Sequence, residues 1–149
     1  MSSTSGNYAS SSSNSGGASI VGNSGDSKGP GPEIMAADTL EGDEVINRKG
    51  DKLGKVQDIM LDLPKGRVAY AVLSSGGFLG MGDKLFAIPW HALTLDAERK
   101  CFILDVDKER LEAAPGFDKD HWPSMADLSW ATQVHNYYSQ PVYWENPMM

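Results

Sequence analysis

A chain of 149 residues, 40% of them hydrophobic, has material for one ordinary domain. Its formal charge of −7 argues against a general nucleic-acid binder, which needs clustered Lys and Arg, and its single cysteine, Cys101, excludes an internal disulfide. No apolar run approaches the roughly 20 residues of a membrane-crossing helix.

Residues 1–32 are dominated by Ser, Gly and Asn, hold one lysine (Lys28) and contain no apolar run longer than Ile20-Val21. Such a segment cannot offset its ordering entropy by burial, so residues 1–36 read as a disordered Ser/Gly-rich tail. It lacks the basic start and continuous apolar stretch of a signal peptide, and the expected location is the cytoplasm. Cys101, followed by Phe102 and Ile103, fits a buried structural thiol in a reducing compartment.

From Leu40 to Val106 short strands alternate with turn chemistry. Val45-Ile46 opens a strand, and Asn47 to Asp51 form a turn in which Gly50 supplies positive φ. Leu53 to Leu63 follow as a longer strand, with Gln57, Ile59, Leu61 and Leu63 on one face and Asp58 and Asp62 on the other. Val56 and Met60 break that alternation, which predicts a bulge near Gly54 or burial of both faces. Pro64-Lys65-Gly66 turn the chain into Val68 to Leu73, an apolar run without polar alternation and so a central, doubly covered strand.

The next stretch, GGFLGMGDK at residues 76–84, superficially resembles a phosphate-binding loop. A helix would have to follow it, yet Leu85-Phe86-Ala87-Ile88-Pro89 reads as a strand, and Asp83 stands where the lysine belongs. The reading is a tight connection between strands, with Gly80 and Gly82 as turn glycines. Its apolar residues Phe78, Leu79 and Met81 are either tucked over the end of the sheet or offered to a partner. Leu93 to Leu95, a hairpin at Asp96 to Lys100, and Cys101 to Leu104 complete about six strands, a mainly β layout suited to a small curled sheet or barrel.

Asp107 can cap a short helix, Lys108 to Ala114, stopped by Pro115-Gly116. Ser124 to Asp127 resemble a capping box, and Trp130, Val134, Tyr137 and Tyr138 follow at helical spacing. Such an aromatic stripe serves core or interface more readily than a cofactor.

The catalytic inventory is thin. His91, His121 and His135 form no metal-spaced pair, no serine or cysteine sits beside a recognisable base, and Asp105, Asp107 and Glu109 lack the glycine and terminal glutamate of a calcium loop. No cofactor, metal or catalysis is expected. Residues 46–95 carry a net +3 while the flanking stretches carry −5 each, so Arg48, Lys49, Lys52, Lys55, Lys65 and Arg67 are either solvated strand-edge charges or a basic face for RNA.

Leu40-Glu41-Gly42-Asp43-Glu44-Val45, followed by Gly50 to Ile59 with Gly54 inside the hairpin, resembles the opening of the PRC-barrel family, and Leu85 to Trp90 resemble that family's hydrophobic-proline strand end. The resemblance spans residues 37–117. It implies a six-stranded PRC-type β-barrel with a short helix after the last strand, then a C-terminal aromatic helix and extension at 118–149, with Gly42, Gly50 and Gly54 as structural glycines beside the loop glycines Gly80 and Gly82 already read as turn residues. The family is known from the reaction-centre H subunit and from the ribosome maturation factor RimM, where the barrel docks and does no chemistry. It therefore implies a bacterial docking module that contacts a protein partner. The density of large apolar side chains on one loop and one terminal helix adds an expectation of self-association, as a homodimer, with Phe78, Leu79, Met81, Trp122, Trp130, Tyr137 and Tyr138 as the contact residues. An RNA- or ribosome-associated role through the basic hairpins, and a role beside a membrane electron-transfer complex, are the alternatives.

Overall fold

The computed structural model describes residues 17–22, 33–75, 84–142 and 144. Seven strands form one sheet: β1 (Ser19–Val21), β2 (Glu44–Ile46), β3 (Lys52–Asp62), β4 (Arg67–Ser74), β5 (Leu85–Pro89), β6 (Leu93–Asp96) and β7 (Cys101–Leu104), in the order β1-β6-β7-β2-β3-β4-β5. The mainly β, barrel-like architecture matches the sequence reading, with one strand more than the six anticipated. That strand is β1, from the stretch read as a tail. It pairs in parallel with β6, Ile20 opposite Leu95.

Strand β4 organises the core. Ala69 to Leu73 are each no more than 5% exposed, as the unbroken apolar run requires. Tyr70 faces helix α3 (Leu128–Tyr137), whose Trp130 and His135 rings stack edge-on against it at 5.5 and 5.6 Å. Alternation turns Ala71 and Leu73 the other way, into the side shared with Phe86, Phe102 and Leu53.

The long strand β3 reaches both β2 and β4 by means of bulges. Against β2 the register jumps from Val45–Gly54 to Ile46–Lys52, which leaves Leu53 as the extra residue beside the glycine where a bulge was expected. A Cβ on Gly54, whose φ is +154°, would lie 2.2 Å from the Ser74 carbonyl oxygen, so only glycine permits the crossing. Gly42 and Gly50 sit in open space at φ of +92° and +88°, as turn residues. The turn before β3 also depends on Asn47, whose buried side-chain oxygen accepts from the backbone N–H groups of Lys49 and Asp51.

Short helices close the remaining sides. Helix α1 (Ala37–Leu40) inserts Leu40, and helix α2 (Lys108–Glu112) inserts Leu111, which is fully buried. The Asp107 side chain does not cap α2 as expected; its carboxylate pairs with Lys49 at 3.2 Å. Helix α3 begins later than the capping-box reading placed it. Asp127, not Ser124, is the N-cap, accepting from Ser129 N at 2.9 Å and Trp130 N at 3.4 Å. The outer edge of β5 is sealed by Phe117, which exchanges two backbone hydrogen bonds with Leu85.

Gly54→Ala is expected to cost about 3 kcal/mol or more, because the backbone of β4 must move to admit one methyl group. Asn47→Ala should cost about 1–3 kcal/mol through unpaired backbone donors. Urea denaturation of the two variants beside the parent chain measures both, and a Gly54→Ala midpoint equal to the parent's would show that the crossing is not tight.

Candidate protein interface

The β3–β4 hairpin sets up the surface. Its tip, Leu63 to Gly66, is held by a part-buried pair in which Arg67 Nε lies 3.4 Å from Asp62 Oδ2, and the Lys65 N–H donates to the other oxygen of Asp62. With the strand ends fixed in this way, side chains alternate to both flanks. Ile59 and Leu61 of β3 and Val68 of β4 line a groove of about 470 Å³ on one flank. Ile20 of β1, Met35 and Trp90 bound it elsewhere, and Glu33 is the one ionisable residue lining it among the described residues. On the other flank Met60, Leu63, Pro64, Tyr70 and Met125 line a second groove of about 400 Å³.

Around this end of the sheet large apolar residues face water. Leu61, 58% exposed, and the partly open Met35 line the first groove, Leu63, 77% exposed, lines the second, and Ile34, 70% exposed, precedes Met35 in the chain. The sequence reading grouped Leu61 and Leu63 on one face of a strand without seeing that β3 runs on past the cover of the core. Clustered exposed apolar side chains mark a contact surface, whereas single ones do not.

The interface residues chosen from sequence fall in three places. Phe78, Leu79 and Met81, with Gly80 and Gly82, lie outside the described residues. Trp122 is partly exposed and stacks on Phe117 at 5.0 Å. Trp130, Tyr137 and Tyr138 pack inward in this conformation: Trp130 onto Tyr70, Tyr137 under the Arg110 guanidinium with its hydroxyl donating to Arg110 O, and Tyr138 into the core. Burial pushes the Tyr138 phenol well above its ordinary range. The aromatic stripe thus attaches the helix to the sheet.

The fold also joins two histidines that are remote in sequence. His91, in the turn Trp90–Ala92, and His135, fully buried on α3, have ring centroids 5.9 Å apart, with Trp144 edge-on against His135 at 5.6 Å. His91 Nε2 donates to Pro141 O at 3.0 Å, and His135 Nδ1 donates to Ala131 O at 2.7 Å. Burial depresses both pKa values, and the neighbouring His91 lowers that of His135 further. Among the described residues no group of three or more His, Cys, Asp or Glu is placed to hold a metal ion.

The basic residues are largely matched by acids. Arg48 pairs with Asp105, Lys49 with Asp107 and Lys52 with Glu44, each at 3.2 Å, in addition to the Arg67–Asp62 pair. No helix among the described residues is long and apolar enough to cross a membrane.

The sequence description of the PRC-barrel domain matches residues 32–111, and the chain belongs to that family. Its members are non-catalytic modules that mediate protein interactions. A search of curated proteins finds no match to this chain.

The histidine pair yields a pH dependence. Each folded pKa lies below the ordinary value of 6.5, so the unfolded chain binds more protons as pH falls through 6.5, and stability drops with it. The contribution is fully present above pH 6.5 and declines on acidification. Thermal melting should show a lower midpoint at pH 5.5 than at pH 7.5. His135→Phe should flatten that difference; an undiminished difference would assign the effect to other groups.

Proposed function

We propose that this chain is a docking module of the PRC-barrel type that holds a protein partner, a second copy of itself included, against the apolar end of the β3–β4 hairpin. The observation that carries the reading is the exposure of Met35 and Leu61 along the groove lined by Ile59, Val68 and Trp90, with Leu63 exposed at the second groove on the other flank of the same hairpin. Apolar anchors beside a preformed groove are what a protein interface uses for affinity, with the surrounding polar residues excluding water.

The RNA reading has less support. Four of its six cations already face carboxylates, and a phosphate would have to displace them.

Leu61→Ser with Leu63→Ser tests the proposal. Both side chains face solvent, so stability should change by no more than about 0.5 kcal/mol per site, while association with partner or self falls at least tenfold by light scattering and co-purification. Association by the parent chain should survive a rise from about 50 to about 500 mM salt. Binding that persists in the double variant, or collapses with salt, would remove the apolar end as the docking surface.

A further inference from the structure

We infer that two copies of this chain associate by exchanging β1, the strand of each seating on β6 of the other. The inference rests on the proposed self-docking at the apolar end and names how it is achieved.

Strand β1 is weakly held where it sits. It is three residues long, touches one neighbouring strand, and none of its residues is fully buried. Its register is Ser19–Thr94, Ile20–Leu95 and Val21–Asp96, extended by one hydrogen bond from Ala97 N to Val21 O at 2.9 Å. An edge strand of that length opens at low cost compared with the core strands. The β6 edge that it covers is a specific seat nonetheless. Gly22 lies so close that a Cβ would meet Asp96 Oδ1 at 2.9 Å, and that carboxylate oxygen is itself fixed by the N–H groups of Glu98 and Arg99.

The connection permits exchange. Between Gly22 and Glu33 lie ten residues, NSGDSKGPGP, without one apolar side chain. Fully extended, that stretch reaches at most about 40 Å, comparable to the width of a domain of this size. The strand also lies outside the family-matched stretch of residues 32–111, and without it β6 is an edge of this chain's sheet.

The drive comes from the location of the seat. Ala18 and Ile20 border the same groove as Met35 and Leu61. Reciprocal exchange therefore brings two apolar ends together and covers Met35 and Leu61, which are open to water in the single chain, while every β1–β6 hydrogen bond is regained in the partner. An external peptide would regain those bonds without burying a second apolar end.

The test uses two full-length chains, one carrying Ser19→Cys and the other Thr94→Cys, with Cys101 left in place because it is buried and its thiol is pushed up. They are mixed at high concentration and treated with a short thiol-reactive cross-linker. A covalent species of twice the chain mass joined through positions 19 and 94, at least tenfold weaker when Ile20→Asp is added to the first chain, is the expected result. A chain carrying both cysteines that links only within itself, with no product between chains in the mixture, would overturn the inference. A dimer seen by light scattering without that link would also overturn strand exchange, yet leave the apolar end as the docking surface; disappearance of dimer and link together would remove both.

Discussion

Strand β4 is apolar on both of its faces, and the rest of the molecule is arranged around covering them. One face is met by the side chains of the curled sheet and the other by helix α3, through Trp130 and His135 against Tyr70. A single sheet cannot cover both faces of its own strand, so the C-terminal helix belongs to the fold although it lies beyond the family-matched residues. Its aromatic side chains serve this attachment. That is why the stripe legible at helical spacing contributes little to the exposed surface.

Where the cover ends, apolar side chains are left open to water. Strand β3, eleven residues long, pairs with β2 only in its first part and continues with β4 to the hairpin tip. Residues Leu61 and Leu63 are exposed at that end, Leu61 beside the groove that Glu33 to Leu40 and β1 also border and Leu63 on the other flank. The grooves on either flank follow from that overhang. What this end offers among the described residues is apolar area and shape, in keeping with a family of non-catalytic modules.

Local chemistry was legible in the sequence and long-range placement was not. The unbroken run Val68 to Leu73 announced a doubly covered strand, the disrupted alternation near Gly54 announced a bulge, and Asn47 to Asp51 announced a turn, because each signal is contained within a few residues. Strand β1 escaped notice because three residues in a polar stretch have no signature of parallel pairing with a strand far along the chain. The same holds for His91 and His135, which become neighbours only when α3 lies down on the sheet. The cap of α3 was misplaced by one turn because Ser124 and Asp127 both satisfy the rule for N-cap residues, and only the turn from Ser124 O to Asp127 N selects the second. The exposure of Leu61 and Leu63 needed the hairpin's length relative to its cover, which periodicity does not encode.

The central claim is that the apolar end of the hairpin is where this protein meets another chain. Hydrogen–deuterium exchange of the unmodified chain, compared between dilute and concentrated solution, tests it directly. The account predicts slower exchange in the concentrated sample at residues 33–36 and 59–63, with helix α3 unchanged. Protection that appears along α3, with residues 59–63 exchanging equally at both concentrations, would contradict it.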